Sequence, residues 1–149
     1  MRRAIDGLTA LHDVCGGGPY GIVPNYREIV LAQPDGRRRL AAIEAEFPPV
    51  SHPVVRTHPE TGRRALFVNR SFTTAIEGVS KLEGVRLLGL LVEHAEQPRF
   101  QVRHRWQADD LVMWDNRCTQ HFAVSDYAPA HRLMHRVTVL GDRPFFTAG

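Results

Sequence analysis

The chain reads as a mostly β protein with flanking helices, and three observations carry that reading. Helical periodicity is confined to its first part and to one later segment. Short runs of β-branched and aromatic residues follow, separated by turn-forming residues. Near the end, residues 132–140 (RLMHRVTVL) read as a further strand, with Arg132, Met134, Arg136, Thr138 and Leu140 on one face. Helices first and several short strands afterwards fit an antiparallel sandwich or barrel with helices packed outside.

Taken in order, residues 2–13 place Ile5, Leu8 and Leu11/His12 at spacings of three and four, which predicts a short helix. Cys15-Gly16-Gly17-Gly18-Pro19 stops it. That glycine run is not a phosphate loop, because it lacks the GK[ST] ending and no strand precedes it. Residues 19–35, with prolines at 19, 24 and 34, are expected to be irregular. Residues 36–46 are expected to form a helical turn or two, with Leu40, Ile43 and Phe47 on one side. Residues 52–56 (HPVVR) and 65–68 (ALFV) are β-type runs joined by the turn His58-Pro59-Glu60-Thr61-Gly62. Ser80 and Glu83 make a capping box ahead of Leu82, Val85, Leu88, Leu91, Val92 and Ala95, an amphipathic helix that ends before Pro98. Strands are expected at about 99–106, 110–115, 119–124 and 132–140.

Composition narrows the functional classes. A chain of 149 residues, 43% hydrophobic and 23% charged, is the size of one ordinary globular domain, so residues 1–149 are taken as a single domain. No apolar run reaches the ~18 residues that span a bilayer, and Met1–Asp6 has no apolar signal core. Neither a membrane nor a secretory route is implied, and a cytoplasmic location is the default. Cys15 and Cys118 form no CxxC pair. A net charge of +3, spread along the chain, lacks the dense basic stripe of a nucleic-acid binder.

The candidate chemistry lies late in the chain. His121 ends one apolar run, and after a polar turn Arg132 and Arg136 share one face of the next, roughly 13 Å apart along an extended strand. A histidine with two fixed cations suggests a pocket that holds a metal and binds acids. A plain hairpin with a solvated basic face fits the same spacing.

The run WDNRCTQHFAVSDYAPAHRLMHRVTVLGDRPF, together with HPVVRTHPETGRRALFVNRSFT (His52 to Thr73), resembles the taurine dioxygenase and phenoxyacetate dioxygenase (TauD/TfdA) family. These are Fe(II)- and 2-oxoglutarate-dependent oxygenases, and the resemblance runs from about Leu8 to Phe146. It implies a double-stranded β-helix, or jelly roll, incomplete on its N-terminal side. It also implies that residues 1–149 are the C-terminal part of such a domain. The family's iron is held by two histidines and a carboxylate.

By this resemblance His121 is the distal iron ligand and Arg132 grips 2-oxoglutarate with a planar, two-pronged guanidinium. Arg136 contacts the acidic group of the substrate, and Trp114 and Phe72 line its pocket. The substrate would be a small sulfonate, carboxylate or sulfate ester, hydroxylated with O₂. Homo-oligomers are common in the family.

The family's H-x-D/E iron motif, and a threonine that helps hold 2-oxoglutarate, have no match here and are expected upstream of Leu8. His58-Pro59-Glu60 sits in a turn that the family carries besides that motif. His94-Ala95-Glu96 closes a helix, on which residues i and i+2 point apart. His12-Asp13 matches no family ligand. One histidine alone holds Fe(II) poorly. Two readings therefore stay open: a dioxygenase of small acids, or a non-catalytic remnant that binds small acids or a partner chain.

Overall fold

In the computed structural model, residues 2–16 and 26–148 are described. The chain folds around a short central strand, β1 (Thr9–His12), which pairs antiparallel with β2 (Val50–Pro53) on one side and with β5 (Thr73–Ile76) on the other. A second, two-stranded sheet joins β3 (Val55–Thr57) to β4 (Arg64–Leu66). Val54, fully buried, links the sheets: its N–H donates to the Leu8 carbonyl at 2.9 Å, and its carbonyl accepts from Phe67 N–H at 2.8 Å.

The expected helix over 2–13 is cut to α1 (Arg2–Ile5), and β1 takes the rest. Gly7, at φ +79°, turns the chain out of the helix in a conformation costly for any other residue. Thr9 to His12 then gain ladder bonds on both edges, which outweighs weak helical periodicity. Helix α2 (Tyr26–Leu31) lies where an irregular segment was expected; residues 17–25 fall outside the described residues. Helix α3 (Gly36–Glu46) matches its expectation. It buries Leu40 with Cys15 and Val30 in a small second core, with Ile43 packed against it, while Phe47 stays exposed. A Cβ on Gly36 would lie 2.4 Å from the Val30 carbonyl, so the α2–α3 corner closes only on glycine.

Strand β5 was not foreseen, although Thr-Thr-Ala-Ile is a β-branched run. Helix α4 (Lys81–Ala95) starts at the capping box: Glu83 N–H donates to Ser80 Oγ and Ser80 N–H donates to the Glu83 carboxylate. Its inner face, Leu88, Leu91 and Val92, joins Ile5, Ala10, Val54, Val55, Val68 and Ile76 in the main core, and α4 packs on β5. Leu82 does not join the stripe, being 61% exposed in the first turn.

The strands expected at 99–106, 110–115, 119–124 and 132–140 are absent. Residues 98–100 form a 3₁₀ turn, and no strand is present among the described residues beyond it. The alternating side chains of this half face solvent: Val102 is 96% exposed and Leu140 97%. Alternation specifies a strand only where a neighbouring strand offers its free edge and a core receives one face. Here residues 101–140 pair with none of the strands of the two small sheets. The described residues therefore form five short strands in two sheets with flanking helices, and no jelly roll is closed among them. The chain end does return. Phe145 carbonyl accepts from Thr57 N–H at 2.8 Å, and Asp142 pairs with the buried Arg56 at 2.9 Å. No helix among the described residues is long and apolar enough to cross a membrane.

Replacing Leu88 by alanine is expected to cost ~2–5 kcal/mol in urea unfolding. Leu82→Ala, at an exposed position of the same helix, should stay within about 0.5 kcal/mol.

Candidate functional site

The segment Trp114–His121 folds as a polar turn whose shape is set by Asp115. The Asp115 carbonyl accepts from Cys118 N–H at 3.2 Å, Thr119 N–H at 3.0 Å and Thr119 Oγ1 at 2.7 Å. Its carboxylate accepts from Arg117 N–H at 2.8 Å and from two nitrogens of the Arg117 guanidinium, at 3.0 and 2.8 Å. Two longer links tie the turn to the β3–β4 hairpin. His58 lies 3.0 Å from Asp115 Oδ2 through Nε2, and Gln120 Nε2 donates to the Val68 carbonyl at 2.7 Å. Between hairpin and turn opens a cleft of about 200 Å³, bounded by Phe67 and Asn69 on one side and Asn116 to Gln120 on the other.

The proton on His58 follows from its neighbours. Nδ1 accepts the N–H groups of Glu60 and Thr61 at 3.3 Å, so a neutral ring carries its hydrogen on Nε2 and donates it to Asp115. The Arg117 guanidinium, with His58 second, holds the Asp115 carboxyl well below the usual carboxylate range. His58, Asp115 and Cys118 bring ligand-type atoms within 4.8 Å of one another. They are nonetheless poorly set for a metal ion: the His58 lone pair points away, and the carboxylate is already gripped by a cation.

The residues singled out from the sequence lie apart. His121 is exposed, its ring 5.2 Å from that of Trp114. Arg132 is partly buried, with its guanidinium 5.4 Å from the centre of the Tyr127 ring and Nη1 3.5 Å from the Val124 carbonyl. Arg136 is exposed, with no hydrogen bond or ion pair among the described residues. Phe72 is half-exposed at the start of β5, where Asn69 Oδ1 accepts its N–H at 2.7 Å. Contacts thus join His121 to Trp114, but none joins His121, Arg132 and Arg136 to one another. Sequence reasoning missed His58, Asp115, Arg117 and Gln120 as a unit. Each of its two anchors joins residues more than fifty positions apart, which no local pattern displays.

Comparison with known proteins places these features. The family model described as taurine catabolism dioxygenase TauD, TfdA family matches residues 1–138. The chain belongs to that family. An alpha-ketoglutarate-dependent 2,4-dichlorophenoxyacetate dioxygenase of Burkholderia sp. (strain RASC) is 48% identical over 97 residues, covering 65% of this chain and 32% of the relative. An alkylsulfatase of Acinetobacter baylyi is 43% identical over 91 residues, covering 61% of this chain and 28% of its own length.

Among solved structures, a Burkholderia xenovorans protein provisionally described as an alpha-ketoglutarate-dependent 2,4-D dioxygenase aligns with a TM-score of 0.57 at 32% identity. The alignment covers 78% of this chain and 40% of that one. The structure of AAD-2 with Mn(II) and N-oxalylglycine gives a TM-score of 0.52 at 27% identity, covering 71% of this chain and 36% of that one. The chain thus spans about a third of the length of these curated relatives. Family members are dioxygenases dependent on alpha-ketoglutarate, which is 2-oxoglutarate, and they use Fe(II) with it.

The described residues do not fit that iron at His121. The only cluster of three or more metal-ligating side chains among them is the His58, Asp115 and Cys118 group, which excludes His121. One imidazole cannot offset the dehydration of Fe(II).

Because Asp115 is depressed in the folded chain, its stabilisation is full above the ordinary carboxylate range and is lost as pH falls through and below it. Between about pH 6 and 3, the thermal midpoint of the native chain is expected to drop further than that of Asp115→Asn. An equal drop would show that the His58–Asp115–Arg117 link contributes nothing to the fold.

Proposed function

We propose that this chain is the C-terminal part of a single dioxygenase domain that hydroxylates small acidic molecules with O₂, Fe(II) and 2-oxoglutarate. The observation that carries the reading is the family match over residues 1–138. The resemblance of the late segment to that family supports roles for His121, Arg132 and Arg136. In this reading the jelly roll forms when residues 101–140 gain partner strands. The alternating, exposed side chains of that stretch then acquire a face to bury.

Each residue has a definite task in the assembled domain. His121 supplies one imidazole to the metal, and Trp114 restrains its ring by contact. Arg132 takes the far carboxylate of 2-oxoglutarate in a two-pronged bond. Arg136 orients the acidic group of the substrate, and Phe72 closes the apolar side of the pocket. When bound, iron would supply the oxidising chemistry. Relatives named for phenoxyacetates, alkyl sulfates and sulfonates make a sulfonate, sulfate ester or carboxylate the substrate class. A non-catalytic chain that binds small acids or a partner is the second reading. It is favoured by the lack of a fitting metal cluster at His121 among the described residues.

This chain alone, given Fe(II) and 2-oxoglutarate, is expected to release no succinate above a metal-only background. Joined behind the N-terminal two-thirds of a relative, it is expected to release succinate coupled to O₂ uptake. In that chimera His121→Ala should remove turnover, and Arg132→Ala should raise the 2-oxoglutarate KM by about 10²-fold, the ~3 kcal/mol scale of a charged hydrogen bond. Turnover that survives His121→Ala would overturn the assignment.

A further inference from the structure

Three buried side-chain nitrogens lack a hydrogen-bond partner among the described residues: His12 Nε2, His52 Nδ1 and Arg56 Nε. Buried polar atoms left bare are rare in folded chains, and an ion or water is the usual explanation. The two histidines are neighbours. The β1–β2 register sets Ala10 opposite His52 and His12 opposite Val50, so both imidazoles stand diagonally on one face. Their ring centres are 5.1 Å apart at 75°, with Phe67 against both, at 5.7 and 5.6 Å.

At His12 the bare nitrogen is Nε2, and at His52 it is Nδ1. A neutral imidazole binds a metal through the ring nitrogen that carries no hydrogen. Burial first, and the neighbouring His52 second, lower the His12 pKa to about 4. Burial, Arg143 and Arg56 lower that of His52. Both rings are therefore neutral at physiological pH, as a ligand must be.

The spacing also suits a shared ion. With a metal–nitrogen bond of about 2.0–2.1 Å, each ring centre lies about 3.2 Å from the metal, and a tetrahedral angle separates the two centres by about 5.2 Å. The observed 5.1 Å matches that spacing. Of the cationic groups beside His52, Arg56 is met by Asp142 at 2.9 Å, and Arg143 is exposed and screened by solvent.

We propose that His12 Nε2 and His52 Nδ1 form a two-imidazole seat for a divalent transition metal of the zinc class, with water completing the coordination. The seat is separate from His121 and does not rest on the dioxygenase reading.

Zinc titrated into the full chain at neutral pH tests this by calorimetry, with ¹⁵N spectra of the imidazoles read alongside. One zinc per chain is expected, with the His12 Nε2 and His52 Nδ1 resonances shifting and those of His58 unchanged. His12→Gln and His52→Gln should each weaken binding by at least about tenfold, the loss that even an outer partner of a ligand can cause. Cys118→Ser should leave it intact. Unshifted His12 and His52 resonances at saturating zinc, undiminished affinity in both glutamine variants, or loss of binding in Cys118→Ser would each overturn the proposal. If a glutamine variant fails to fold by circular dichroism, the spectra of the unaltered chain decide.

Discussion

The fold depends on the double pairing of β1. Four residues, Thr9–His12, bridge a strand some forty positions downstream and another more than sixty downstream, and Ala10 at their centre is fully buried. A small side chain there lets both flanking strands approach a core closed by Leu88 and Leu91 of α4. Pairing on both edges satisfies the backbone groups of this short strand. The β3–β4 hairpin hangs from this sheet through Val54, and the Asp115 turn hangs from the hairpin in its turn. The order of dependence therefore runs from ladder to core to hairpin, and last to the polar turn that carries His121.

That order explains which parts could be read from the residues. Helix α4 was legible because its signals are local: Ser80 and Glu83 three apart, then leucines at helical spacing. Strand β1 was not, since its decisive partners are remote and its own four residues also satisfy a weak helical period. The late segments show the opposite failure. Their β-type composition is genuine, yet a strand is a relation between two segments, and residues 101–140 pair with none of the five strands. Around the Gln120-His121 and Arg132/Arg136 strings, family membership was legible. The anchoring of that segment by His58 and Gln120, and the meeting of His12 with His52, depend on contacts that only the folded chain reveals.

The two histidine environments show how the backbone chooses a role for one side-chain type. At His58, two amide N–H groups claim Nδ1 and turn the ring into a donor toward a carboxylate. At His12, no backbone group meets Nε2, which stays buried without a partner among the described residues. The first ring is suited to holding a turn in place, and the second to receiving a cation. Composition alone would have treated them as equivalent.

The small core of Cys15, Val30 and Leu40 shares no buried member with the main core. Its helices meet through Gly36, at a corner too tight for any side chain. Regions that exchange few apolar contacts can open independently, in cooperative units of their own. The α2–α3 pair is therefore expected to open as a unit of its own, its amide hydrogens exchanging ahead of those of β1. Heat-induced unfolding of this chain would then have a calorimetric enthalpy larger than its van't Hoff enthalpy.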